Sequence, residues 1–148
     1  RTLGGMTISV FQGLIVFAIS LLIGFSTINP VGIAVAIVYM LLISAVFVSI
    51  GTSFASKMED MQGFQIIMNF FVFPTFLLSG ALFPAASLPI FLLPLVYINP
   101  LTYGVDGIRG ALIGVNSLPM LVDFGVLVGF SILFVGIGSY LFSKSEVR

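Results

Sequence analysis

The chain has 148 residues, 59% of them hydrophobic and 7% charged, and its five basic and five acidic side chains cancel. A soluble domain is roughly 45–50% apolar and 25% charged, so this composition belongs to an integral membrane protein. The absence of His and Cys excludes disulfides, thiol nucleophiles, imidazole bases and nearly all transition-metal sites, and no basic stripe is present to hold nucleic acid.

Four segments reach the roughly 20 apolar residues that a membrane span needs. The first runs from Ile8 to Phe25 and ends in a turn-forming cluster, Ser26-Thr27-Ile28-Asn29-Pro30. Because the first residue is Arg1, with no basic-then-apolar leader before this span, the chain is expected to be a piece of a longer polypeptide. Gly5, Ser9, Gln12, Val16, Ser20 and Gly24 form a weak small-and-polar stripe along this helix. The second span, Val31 to Ile50, carries no charge and closes at Gly51-Thr52-Ser53 and the charged break Lys57-Met58-Glu59-Asp60. Glu59 and Asp60 read as helix terminators in a solvated loop.

The third span, Phe64 to Phe83, contains Pro74. Along it Gln62, Gln65, Asn69, Val72, Phe76, Ser79 and Phe83 recur in steps of three and four, which is one helical face. Unpaired amides in hydrocarbon cost several kcal/mol, so this face should look at protein or water. Helix–helix adhesion and the lining of a translocation path are both consistent with it.

From Pro84 to Pro119 the sequence is apolar but too broken to cross a membrane. Its uncharged core, Leu88 to Ile98, holds Pro89 and Pro94, and short apolar runs of this kind belong to buried or re-entrant elements. Asn99-Pro100 predicts a helix start, because Asn caps free N–H groups and Pro suits the first helical position. The helix is expected to run to Ile113. Gly104, Gly107, Ala111 and Gly114 share one smooth face of it, open to close approach by another helix. Asp106 and Arg109, three apart, are within reach of each other, as a self-neutralising pair or as a latch toward a partner.

The fourth span, Leu121 to Phe142, carries Asp123 near one end, a Gly125-x-x-x-Gly129 seam continued by Gly136, and the terminal charges Lys144, Glu146 and Arg148. With four spans, Arg1, Lys57, Lys144 and Arg148 fall on one side and Arg109 on the other. The positive-inside rule then predicts cytoplasmic termini, a cytoplasmic Lys57 loop and an extracytoplasmic 84–119 segment in a multi-pass plasma-membrane protein. The fold class is therefore all-α integral membrane, with four transmembrane helices and a re-entrant helical segment before the last, in one domain. No phosphate-binding loop or catalytic constellation is present, and no chemistry is expected on this chain itself.

Three stretches together carry a family resemblance: LGGMTISVFQGLIVFAISLLIG, KMEDMQGFQIIMNFFVFPTFLLSGALFPAASLP and INPLTYGVDGIRGAL. The combination resembles the type-2 ABC transporter permeases, in particular the daunorubicin-resistance and nodulation-export branch. These are the membrane subunits of ATP-driven exporters of drugs, lipids or polysaccharide carriers. The resemblance implies spans three to six of a six-span permease, with the amphipathic N-terminal helix, two spans and most of the ATPase-docking loop missing. It implies alternating access in a dimer, homo- or heteromeric, driven by separate ATP-binding subunits that hold ATP and Mg, with no cofactor on this chain. It implies a substrate path along Gln65, Asn69, Val72 and Phe76. It also implies an extracellular gate built from Ser79, Gly80, Pro84, Asn99, Pro100, Tyr103, Asp106 and Arg109. A carrier or channel not driven by ATP, or an accessory membrane scaffold, is the alternative.

Overall fold

The computed structural model describes residues 2–26 and 29–145. Arg1, Thr27, Ile28 and Glu146 to Arg148, which carry part of the expected turn and charge pattern, lie outside the described residues. The elements are helices α1 (Thr2–Leu22), α2 (Pro30–Ala55), α3 (Met61–Leu78), α4 (Leu93–Ile98), α5 (Pro100–Ile113) and α6 (Met120–Ser145), with 3-10 turns at Ala85–Ser87 and Ile90–Leu92. Leu3–Leu22, Pro30–Ala55, Met61–Leu78 and Met120–Lys144 are each long and apolar enough to cross a bilayer. The fold is an all-α integral membrane bundle.

The caps are written in the sequence. Asn29 accepts from the Val31 N–H at 3.1 Å and Pro30 takes the first helical position of α2. Asp60 starts α3 by accepting from the N–H groups of Gln62 and Gly63 at 3.1 and 2.8 Å. Such side chains satisfy donors that no preceding turn can pair.

α2 is the centre of the bundle, packed by α1, α5 and α6. Tyr39, Val46 and Ser49 on it are almost fully enclosed, and Ser131 of α6 donates to the Leu42 carbonyl at 3.2 Å. α1 meets α2 through Gly5, against Val48, and Gly13, against Met40. Ser9, Gln12 and Val16 of the expected stripe are exposed, because the packed face runs through Gly5, Val10, Gly13 and Phe17 instead. On α6, Gly125, Gly129 and Gly136 have open space beside them, while Gly138 sits against Ser49 and Ser53. The GxxxG seam therefore packs against nothing among the described residues.

α3 stands apart. None of its residues is buried, and a cavity of about 890 Å³ separates it from Phe47 and Phe54 of α2 and from Phe130 and Phe134 of α6. It also ends earlier than the Phe64 to Phe83 window. The Ser79 N–H bonds back to the Phe76 carbonyl at 3.2 Å, tightening the last turn, and Gly80 then adopts φ +80°. Hydropathy continues past Leu78, but the backbone turns at this left-handed residue, which glycine adopts without strain.

Candidate functional site

α5 is a 14-residue helix packed lengthwise along α2. Its glycine face lies on α2: Gly104 against Ile43, Gly107 against the Tyr39 ring, and the Ala111 carbonyl against Gly32. The register is antiparallel. It covers residues 32 to 43 of α2, roughly 16 Å of helix at 1.5 Å per residue, about half of a hydrocarbon core of roughly 30 Å. The close approach needs glycine, since a Cβ at Gly32 would meet backbone and one at Gly107 would meet a buried ring. Gly114 closes the helix at φ +71°, its N–H bonded to the Gly110 carbonyl at 3.0 Å.

Two side chains of this segment fasten α3. Because Ser79 pairs with Phe76, the Thr75 carbonyl loses its usual helical donor, and the Asn99 amide takes it at 2.7 Å. The same Asn99 accepts from the Leu101 N–H at 3.0 Å as the α5 cap. Asn99 thus serves the end of one helix and the start of the next while only 7% exposed. Arg109 donates to the Gly80 carbonyl at 2.9 Å. Replacement of Asn99 by Ala is expected to cost about 2–3 kcal/mol, a lost cap plus a buried carbonyl left unpaired. Thermal unfolding in detergent reads the loss, and a shift no larger than that of an exposed Asn would refute the dual role.

Asp106 and Arg109 do not pair as expected. Asp106 turns to the α5–α6 connection, accepting from the Ser117 N–H at 2.8 and 2.9 Å and from the Leu118 N–H at 2.9 Å. The two side chains reach different elements: Asp106 the backbone N–H groups of the α5–α6 connection, Arg109 the Gly80 carbonyl after α3. Tyr103 donates to the Tyr97 carbonyl and Thr102 to the Val96 carbonyl, both at 2.7 Å, which folds α4 against α5. Burial, then the Asp123 carboxyl and the Tyr97 phenol, pushes the Tyr103 phenol above its ordinary range, so it remains a neutral donor. Pro100 holds the first position of α5, and Pro84 precedes the first 3-10 turn, its carbonyl accepting from the Ser87 N–H at 2.9 Å.

The expected gate residues therefore lie together: Ser79, Gly80, Pro84, Asp106 and Arg109 line a cavity of about 150 Å³, with Tyr103, Asn99 and Pro100 on the same short helix. The α3 stripe is a separate surface. Gln65, Asn69, Val72 and Phe76 are all exposed. Asn69, Val72 and Phe76 line a depression of about 500 Å³ with Phe70, Phe73 and Pro74, and Gln65 does not line it. Sequence reasoning missed Tyr39, whose hydroxyl donates to the Met120 carbonyl at 2.9 Å. It also gave no sign that Asp123, placed near one end of the fourth span, is fully enclosed. A tyrosine eight residues beyond the start of an uncharged span at Val31 was the available signal for the first. The second had none, because the elements that enclose Asp123 come together only through the fold.

An all-helical bundle with four spans and a short helix packed between two of them is the class that this architecture defines. The family model of the ABC-2 type transporter matches residues 1–113, and the chain belongs to that family. It is similar to the inner membrane transport permease YadH of Escherichia coli (strain K12) and to the protein of the same name from Shigella flexneri. Each is 30% identical over 132 residues, which is 88% of this chain and 50% of the relative. The chain thus spans about half the length of the curated relatives it matches. No solved structure matches it.

Proposed function

We propose that the chain is the C-terminal, membrane-embedded part of a permease subunit of an ATP-driven exporter for amphiphilic substrates. The observation that carries this reading is the unpacked stripe of α3 next to the re-entrant helix. A span whose amide-bearing face finds no partner among the described residues must present it to another protein surface or to water. In this reading Gln65, Asn69, Val72 and Phe76 border the path, which a second permease copy completes. Residues Ser79 to Pro84 and Asn99 to Arg109 close its extracytoplasmic end. ATP and Mg are bound by separate ATP-binding subunits, and alternating access moves the cargo.

Lys57, in the α2–α3 connection, and Lys144, in the last turn of α6, mark the opposite end of the bundle from Arg109, which supports a cytoplasmic placement for them. Ser117 is exposed in the α5–α6 connection, and the chain has no Cys of its own. A cysteine substituted for Ser117 is expected to react with an impermeant thiol reagent on intact cells. Labelling only after permeabilisation would invert the topology.

The path assignment is tested by Asn69→Leu and Phe76→Ala in the complete subunit, reconstituted with its ATPase. Both residues are exposed on α3, so assembly is expected to survive, while drug-stimulated ATPase activity or substrate export changes by several-fold. Unchanged transport in both variants would remove this face from the path.

A further inference from the structure

The face of α3 opposite its amide-bearing stripe, with Ile67, Phe71, Pro74 and Leu78, is turned toward the cavity of about 890 Å³. That cavity begins where the α5 contact ends. α5 covers α2 from Gly32 to Ile43, whereas the cavity is walled by Phe47, Ile50 and Phe54 of α2 and by Phe130 and Phe134 of α6. Ile98, Asn99 and Pro100 close it at the junction of α4 and α5. Along α3 it extends from Ile66 to Leu78, roughly 18 Å at 1.5 Å per residue.

A space of this size does not stay empty, because its walls would forgo dispersion contacts along their whole length. Water is a poor filler. Thr75 and Asn99 carry the only polar side chains among the lining residues. The Thr75 hydroxyl donates to the Phe71 carbonyl at 2.7 Å, and Asn99 is spent on the Thr75 carbonyl and the Leu101 N–H. An enclosed water needs about two to four polar partners. Another helix is too wide: at about 10–12 Å across it would take up roughly 1,400–2,000 Å³ over this length. A single hydrocarbon chain has the remaining shape. The length of the cavity is close to the depth of one leaflet, half of a hydrocarbon core of roughly 30 Å.

Charge places the head of that chain. α2 leaves the cavity at Phe54 and ends at Ala55, with Lys57 just beyond, and Lys144 lies in the last turn of α6. The Asp60 carboxylate is spent on capping α3. Among the described residues, the two lysines are therefore opposed at this end of the bundle by Glu59 alone, a balance that suits a phosphate headgroup. We propose that the cavity is a binding site for one acyl chain of a bilayer phospholipid, entering from the leaflet at the Lys57 end. Such a lipid is a resident wedge and not a cargo. It supports α3 from behind, on the side away from Gln65, Asn69, Val72 and Phe76.

The chain contains no Trp, so a single fluorescent reporter can be placed at will. Phe134→Trp puts one on a wall of the cavity, and Ile132→Trp puts one on α6 at a position 70% exposed. Both chains are reconstituted in phosphatidylcholine vesicles that contain increasing fractions of phosphatidylglycerol brominated midway along its acyl chains. The Phe134→Trp chain is expected to reach half-maximal quenching at a several-fold lower fraction of brominated lipid than the Ile132→Trp chain, with blue-shifted emission. Equal fractions would mean a face wetted by ordinary bilayer and would overturn the site. Absence of quenching in the Phe134→Trp chain would overturn it too: red-shifted emission would mean water, and blue-shifted emission would mean that α3 or a second copy of the chain fills the space. Phe47→Trp, on α2, gives the same reading from another wall and decides the question if Phe134→Trp does not fold. The readout is independent of whether the chain transports anything.

Discussion

Gly107→Val is expected to destabilise the bundle by about 3 kcal/mol. The added branches would enter the space of the Tyr39 ring, and that ring has nowhere to go. It is 1% exposed, braced edge-on against Phe124 at 6.2 Å between centroids, and tied by its hydroxyl to the Met120 carbonyl at 2.9 Å. Overpacking of this kind costs about 1–3 kcal/mol, and displacement of the ring adds about 1 kcal/mol for the broken hydrogen bond. The internal control is Gly129→Ala on α6, which has open space beside it and is expected to be neutral or slightly stabilising through helix propensity. Thermal unfolding of both variants in detergent checks the pair. Equal midpoints would mean that α5 does not lie on α2 in the register described.

Asp106→Ala is expected to cost about 2–3 kcal/mol. Its carboxylate receives the N–H groups of Ser117 and Leu118, and hydrogen bonds to a charged group contribute about 1.5–3 kcal/mol each. The sum is reduced because Ser117 is exposed and water can replace part of what is lost. Amide hydrogen exchange at Ser117 and Leu118 should accelerate, while the amides of α1 should not change. Uniform acceleration would show that Asp106 supports the whole bundle, not this connection. Asp106→Asn, which keeps one acceptor oxygen, is expected to lie between the variant and the wild type.

Much of this molecule was legible because its caps and breaks are local. Asn99-Pro100 and Gly114 bound α5 at the residues expected, and the glycine face on that helix correctly anticipated a close neighbour. What the pattern could not supply was the neighbour's identity, since contact with α2 joins residues far apart in sequence. The end of α3 misled for a similar reason: apolar residues continue to Phe83, yet the geometry of Ser79 and Gly80 stops the helix first. Charge pairing on α5 failed because spacing brings Asp106 and Arg109 within reach but says nothing of better partners. The Gly80 carbonyl and the Ser117 and Leu118 amides are supplied by other elements. The α3 stripe was visible as a pattern, and its exposure agrees with both readings given to it.

The attachment of α3 has an evolutionary consequence. Asn99 and Arg109 grip it through the carbonyls of Thr75 and Gly80, groups that every amino acid provides. Side chains along the rest of the helix can therefore be exchanged without loosening its moorings. On the reading proposed above, in which the exposed face of α3 borders the path, cargo preference can change through that one surface while the attachments of the helix stay as they are.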